Sequence, residues 1–236
     1  MAILPIFVAF AVVVLVVAIL GGRQQKARVL ALAKLAAQEG WRFRARSLGR
    51  LPRELEQIDA FNRGSSRQAY NTLSGRLTPG ERPLIFHAGD YRYQTQSGSG
   101  KNRRTQTHRL SYLAVRLEIG PTPRVAIRRE HFFDSIAAAI GFDDIDFESA
   151  EFSREFHVSS DDKRFAYDLI HPRAIEMLLA SSPERLELRN GWLVVTNGER
   201  VWEPHQFVSW FKWAERFLAL WPSHMNHQPG AAGRRD

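Results

Sequence analysis

The opening stretch of the chain constrains the fold more than any other part. Residues 2–20 are nineteen consecutive side chains without a charge, an amide or a hydroxyl group, and Arg23 is the first charge after them. As an α-helix this run is about 28 Å long, close to the roughly 30 Å hydrocarbon core of a bilayer. It therefore predicts a transmembrane anchor over residues 1–22. The expected membrane-spanning residues include Ala2, Phe7, Val13 and Leu20.

The charges beside this run predict its orientation. Lys and Arg next to a span stay on the cytoplasmic side. The nearby cations all follow the run, and they are Arg23, Lys26, Arg28 and Lys34. A basic leading region and an A-x-A-like cleavage site are both missing, so a retained anchor is favoured over a removed signal peptide. We expect a single-pass protein of the inner (plasma) membrane, with the N-terminus outside and the C-terminal domain in the cytoplasm.

Charge is divided unevenly along the rest of the chain. Residues 23–130 carry 22 basic and 8 acidic side chains, a net charge of +14, whereas residues 131–236 carry 11 and 17, a net charge of −6. A basic surface attracts anionic lipid or the phosphates of nucleic acid, although an arginine-rich genome composition alone also produces one. Proximity to the anchor favours lipid over nucleic acid. The expected contacts with anionic lipid or phosphate are Arg23, Lys26, Arg28, Lys101, Arg103 and Arg104.

Alternating apolar side chains predict a sheet. The alternation is clearest where Leu113, Val115 and Leu117 share one face. Asn190 and Gly191 favour the tight type I′ turn of a hairpin. The predicted strands lie near residues 41–46, 68–77, 84–94, 109–119, 124–128, 152–158, 185–189 and 192–196.

Apolar side chains at helical spacing predict the other elements. Helices are expected over residues 131–140, 161–170, 172–181 and 204–221, the last with a broad apolar stripe that packs on the sheet. The resulting fold class is α+β: an N-terminal transmembrane helix, then a mostly antiparallel sheet domain with inserted helices and a C-terminal amphipathic helix. The domain boundaries are 1–22 for the anchor, 23–40 for a juxtamembrane helix, 41–221 for the soluble α+β domain and 222–236 for a disordered tail.

Three short segments carry a resemblance to a family. They are Gly40-Trp41-Arg42-Phe43, the acidic stretch 144–148, and residues 156–161. In these segments the chain resembles bacterial proteins that combine an N-terminal membrane anchor with a soluble domain of unknown function. The resemblance implies the same organisation for this chain and no particular activity.

Catalytic motifs are missing from the sequence. It contains no cysteine, no H-E-x-x-H and no G-x-S-x-G, and its Gly-Lys pair at residues 100–101 lacks the spacing of a Walker motif. No cofactor is therefore expected. The densest carboxylates are Asp144, Asp146 and Glu148, which suit a divalent cation if a strand aims them to one side. A solvated acidic loop is the alternative reading of those residues.

The sequence favours a membrane-anchored protein whose cytoplasmic domain binds a protein or lipid partner near the membrane surface. Trp213 lies off the apolar stripe of the C-terminal helix and, if exposed, is the expected partner contact. Two alternatives stay open. One is a membrane-tethered enzyme that uses Asp144, Asp146 and Glu148 with a metal ion, and the other is nucleic-acid binding through the basic half.

Overall fold

One antiparallel sheet organises the chain. The computed structural model describes residues 3–45, 51–80, 83–99, 102–129, 145–222 and 225, and their side chains except those of 3–14, 17 and 18. The helices are α1 (Ile3–Gln38), α2 (Ala150–Glu155), α3 (Lys163–Leu169), α4 (Pro172–Ser181) and α5 (Pro204–Ala219), with a 3₁₀ helix at Arg53–Gln57. The strands are β1 (Arg42–Arg44), β2 (Ser65–Leu77), β3 (Leu84–Ser97), β4 (Arg104–Arg116), β5 (Val125–Arg129), β6 (Phe156–Ser160), β7 (Arg185–Arg189) and β8 (Trp192–Thr196).

The strands follow the order β1-β2-β3-β4-β8-β7-β5-β6, and each neighbouring pair is antiparallel. The α+β class with a mostly antiparallel sheet is thus confirmed. The β7–β8 hairpin turns at Asn190 and Gly191, with φ of 49° and 75°. A type I′ turn needs positive φ at both central residues, so the predicted hairpin is confirmed as well.

One local prediction is corrected, and two others fall mostly outside the described residues. The strand expected over residues 152–158 begins only at Phe156, because Ser149 caps α2 by accepting the backbone N–H of Phe152. The helix expected over residues 131–140 lies outside the described residues. Of the predicted tail, Met225 is described and is buried in the core.

Helices and sheet bury two separate clusters, one on each face of the sheet. The larger cluster joins Leu32 of α1 and Phe207 and Phe217 of α5 to apolar residues of the strands. The smaller cluster lies on the other face, which we call the outer face, where Ile58 and Phe61 cover tyrosines and alanines of β2 to β4. Burial of these side chains on both faces drives the sheet to form in this register.

The predicted transmembrane anchor is not supported. No helix in the described part of the chain is both long enough and apolar enough to cross a membrane. Within α1 the described side chains begin at Leu15, and the apolar run from there ends at Gly21, after which Arg23 and Lys26 follow in the same helix. The prediction of a membrane span over residues 1–22 is therefore wrong. The inner-membrane location and the orientation that were derived from it are withdrawn. Leu20 is exposed; Ala2 and the side chains of Phe7 and Val13 lie outside the description.

The segment predicted as a juxtamembrane helix is the C-terminal part of α1, and it docks on the sheet. Arg28 donates from Nε and Nη2 to the two carboxylate oxygens of Asp90 at 2.8 and 2.7 Å. Asp90 is fully buried and also accepts from Asn71 Nδ2 at 2.8 Å and Ser111 Oγ at 2.7 Å. Leu32 and Ala36 of the same helix are buried one and two turns further on. The ion pair therefore fixes where α1 lies along β2, β3 and β4.

We expect Arg28→Met to lower the free energy of unfolding by about 3 to 5 kcal/mol, because it leaves the buried Asp90 carboxylate without its cation. Arg23→Met is the matched control on the exposed part of α1 and should change stability by less than about 0.5 kcal/mol. Urea unfolding of the full chain measures both values. Equal stability of the two variants would show that the pair does not hold α1.

Candidate functional site

The predicted basic contacts fall in two places. Arg23 and Lys26 are exposed on α1, and Arg103 and Arg104 are exposed at the start of β4. Arg28 is committed to Asp90, so its charge is already neutralised. Lys101 lies outside the described residues. The structure therefore separates this predicted set rather than bringing it together.

The predicted partner and metal residues also have definite positions. Trp213 is 3% exposed and its Nε1 donates to Ser181 Oγ at 2.7 Å, so the exposure on which its partner role depended does not hold. Asp146 and Glu148 are exposed, and Asp144 is outside the description. Among the residues that can be described, no group of three or more His, Cys, Asp or Glu side chains could hold a metal ion.

A groove of ligand dimensions lies between α1 and the sheet, beside the basic part of α1. Its volume is about 1010 Å³, at the upper end of the range for small-molecule sites. We call it the α1 groove. Its lining residues are Gly21, Gln24, Gln25, Ala27, Arg28, Ala31, Tyr70, Arg109, Val201, Glu203 and Pro204.

The sheet side of the α1 groove is polar and cationic. Arg109 of β4 forms no hydrogen bond or ion pair with any residue that the structure describes. The pKa of the neighbouring Tyr70 phenol is raised, first by burial and then by the charge of Asp90, so Tyr70 stays a neutral hydrogen-bonding group. The groove thus offers one uncommitted guanidinium beside one phenol, which suits an anionic headgroup.

The other side of the α1 groove is apolar. Ala27 and Ala31 of α1 face Val201 and Pro204, which precede and begin α5. Glu203 also lines the groove, and its carboxylate accepts the backbone N–H of Gln206 at the third position of α5. Next to Gly21, Ile19 and Leu20 leave 47% and 50% of their surface exposed. At helical spacing Leu20 shares the face of Ala27 and Ala31, so the apolar wall extends along α1 to Leu20.

A second polar cluster lies on the outer face of β5 and β7. Asp59 Oδ2 accepts from Arg124 at 2.8 Å and from Arg185 at 2.9 Å. Glu187 accepts from Arg185 at 2.9 Å and from the backbone N–H of Asp59 at 3.1 Å. These bonds fasten the segment after the 3₁₀ helix to the sheet. We call Asp59, Arg124, Arg128, Arg185 and Glu187 the arginine cluster.

The arginine cluster shifts the pKa values of its members. Burial alone would raise the pKa of Asp59, but Arg185 and Arg124 outweigh it, and the net pKa is lowered. Burial lowers the pKa of the Arg128 guanidinium, and repulsion by Arg185 and Arg124 adds to this shift. Attraction by Asp59 and Glu187 offsets part of this lowering of the Arg128 pKa.

Sequence reasoning missed both features. Arg109 sits in a correctly predicted strand, but nothing in the sequence says that α1 lies across it. Arg124 and Arg128 alternate with the buried Val125 and Ile127, a pattern that normally indicates a solvated face. The usable signal was on β7, where Arg185, Glu187 and Arg189 alternate in charge on one face.

Comparison with known proteins gives a fold and no family. No family model matches the chain, and no curated protein matches it. Among solved structures the chain is similar to the mycobacterial trehalose monomycolate transport factor A, TtfA, with a TM-score of 0.56 and 11% sequence identity. The similarity covers 82% of this chain and 96% of that one. At this identity the likeness establishes a shared fold only.

We expect the arginine cluster to make stability depend on acid pH. Because the folded pKa of Asp59 lies below the unfolded value of about 3.9, its contribution is complete above that value and is lost as the pH falls through the folded pKa. Wild type should therefore lose more stability between pH 6 and pH 3 than Asp59→Asn does, by urea unfolding. Asp146→Asn, at an exposed carboxylate, should lose as much as wild type. An unchanged acid loss in Asp59→Asn would contradict the assignment.

Proposed function

We propose that this protein binds a lipid with an anionic headgroup in the α1 groove. The proposal rests on one observation. Arg109, which has no partner among the described residues, lines the same groove as an apolar wall formed by Ala27, Ala31, Val201 and Pro204. An amphiphile needs these two surfaces side by side. A purely polar ligand would leave the apolar wall in water, and a purely apolar ligand would bury Arg109 without an anion.

Charge around the groove supports an anionic headgroup. Arg23 and Lys26 are exposed on the same stretch of α1 that lines the groove, and Arg92 on β3 is paired with Arg109 in the register of β3 and β4. Arg92 donates to Gln68 Oε1 and so keeps its charge. Arg23 and Lys26 do not line the groove itself, so its positive charge comes from Arg109 with Arg92 beside it, while the buried Asp90 is neutralised by Arg28.

The apolar side supports an acyl chain. At helical spacing Leu20 and Val16 share the face of Ala27 and Ala31, and both are exposed, so they continue the apolar wall beyond Gly21. Each methylene of a chain that leaves water for this surface contributes about 0.8 kcal/mol. A chain of a few carbons would therefore add measurable affinity to that of the headgroup.

The shared fold is consistent with lipid handling. TtfA is named as a transport factor for trehalose monomycolate, which is a lipid. The likeness in fold extends over most of both chains. It supports a lipid as the class of ligand and leaves the particular lipid to experiment. Nothing in the described residues favours catalysis over binding.

Binding of a short-chain phosphatidylglycerol below its critical micelle concentration tests the headgroup half of the proposal. Arg109→Gln should weaken the affinity of the full chain about tenfold or more, because it removes a charged hydrogen-bond donor. Arg76→Gln, at an exposed arginine of β2 outside the groove, is the matched control and should bind as wild type does. Calorimetry measures both. If both variants lost affinity equally, the lipid would be attracted by the overall surface charge and not by Arg109.

The apolar half is tested by filling the groove. Ala27→Trp should abolish binding of the same lipid, whereas Ala37→Trp, at an exposed position of α1 away from the groove, should leave binding intact. The corresponding phosphatidylcholine should bind wild type more weakly, since it carries no net charge. If Ala27→Trp binds normally, the ligand does not occupy the α1 groove.

A protein partner is the second candidate, and the exposed apolar residues of α1 favour it. Leu15, Val16, Ile19 and Leu20 present a patch of the kind that protein interfaces cover. A photo-crosslinking residue at position 19 of the full chain should then give one discrete protein adduct in cells. A lipid ligand predicts no such adduct and instead predicts the response to Ala27→Trp.

A further inference from the structure

A small cavity opens on the outer face of the sheet, apart from the α1 groove. Its volume is about 40 Å³, enough for about three water molecules at 10 to 15 Å³ each. An oxyanion of phosphate size displaces a similar amount of water. Its lining residues are Ala60, Arg63, Tyr93, Leu110, Arg128, Glu184, Arg185, Thr196, Gly198 and Glu199.

Three guanidinium groups line this cavity. Arg128 and Arg185 are direct partners in the register of β5 and β7, and like charges placed opposite each other repel. Arg63 reaches the same space from the segment that follows the 3₁₀ helix. An anion bound between these guanidinium groups would offset their mutual repulsion and so stabilise the fold.

The carboxylates nearby are already engaged. Asp59 is divided between Arg124 and Arg185, and Glu187 is held by Arg185 and by a backbone N–H. Glu184 lies 3.4 Å from Arg200, and Glu199 accepts from Tyr93 at 2.9 Å and lies 2.7 Å from His108 Nδ1. Burial alone would raise the pKa of Glu199, but the bonds from His108 and Tyr93 lower it. Both cavity carboxylates thus have partners of their own.

Two guanidinium nitrogens of the cavity lining have no hydrogen-bond acceptor among the described residues. Arg128 makes no hydrogen bond or ion pair with any residue in the described ranges, and its Nε is shielded from solvent. Arg185 is only 7% exposed, and its Nε also has no acceptor among the described residues. Buried donors of this kind normally have a partner. A ligand in this cavity that bonds Arg128 or Arg185 must supply acceptors, because guanidinium groups only donate.

We propose that this cavity binds the phosphate group of a ligand, held by Arg128 and Arg185 with Arg63 at its edge. A tetrahedral oxyanion presents several acceptors at once, and guanidinium groups bind such acceptors in pairs of parallel hydrogen bonds. Thr196 adds a hydroxyl group to the lining, whereas the hydroxyl of Tyr93 already donates to Glu199. The site lies on the opposite face of the sheet from the larger core cluster and is independent of the lipid proposal.

Thermal unfolding of the full chain with inorganic phosphate tests the site, at constant ionic strength and with chloride as the reference. We expect about 10 mM phosphate to raise the Tm by roughly 3 °C or more. Glycerol 3-phosphate is the second probe. A response to inorganic phosphate identifies a free ion as sufficient, whereas a response to glycerol 3-phosphate alone identifies a phosphate headgroup, and either supports the site. No difference from chloride for both probes would overturn it.

Arg128→Met separates binding from folding. Without phosphate, this variant should melt at or above the Tm of wild type, because it removes a half-buried charge that Arg185 and Arg124 repel. With phosphate, its Tm should no longer rise. Arg76→Gln is the matched control and should keep the full response. If Arg128→Met responds to phosphate as wild type does, the cavity is not the site; if Arg128→Met simply unfolds, Arg128→Gln with the same two probes decides.

Discussion

The buried carboxylate of Asp90 is the interaction on which the arrangement of this protein depends. It receives four hydrogen bonds, from α1 through Arg28, from β2 through Asn71 and from β4 through Ser111. Ser111 Oγ in turn accepts the backbone N–H of Trp202, just before α5. One anion therefore ties together a helix, three strands and the approach to a second helix.

The backbone around Asp90 is shaped to allow this convergence. Asn71 adopts a φ of 48° at an irregularity in the pairing of β2 and β3, which turns its amide toward the carboxylate. Gly89, beside Asp90, has a φ of 152°, and a Cβ there would lie 2.9 Å from the carbonyl oxygen of Asn71. A residue with a side chain could not occupy position 89 without moving β2. Because α1 is fixed here, the space beside it becomes the α1 groove.

The two faces of the sheet have different chemistry. One face is covered by α1 and α5; it is apolar over the larger core cluster and polar around Asp90 and the α1 groove. The outer face is aromatic over β3, β4 and β8, and it changes to arginines and carboxylates over β5 and β7. The segment around Asp59 covers both parts, since Phe61 packs on Tyr91 and Tyr112 while Asp59 bonds Arg124 and Arg185. The arginines and carboxylates on this face are therefore partly covered by the segment around Asp59. For that reason Arg128 Nε and Arg185 Nε are shielded from solvent and have no acceptor among the described residues.

The sequence by itself determined the α+β class, most strands, the Asn190–Gly191 hairpin and the amphipathic α5, because these follow from local periodicity and turn chemistry. The membrane span that the sequence predicted over residues 1–22 is wrong, and Trp213, which lies off the apolar stripe, is buried. Only the tertiary structure decided that Arg28 pairs with Asp90 and that Arg128 lies opposite Arg185. It also decided that Arg109 has no partner among the described residues. The partners in these contacts lie 62 and 57 residues apart in the chain. Whether a charge is paired depends on which distant strand or helix lies beside it, and periodicity carries no information about that.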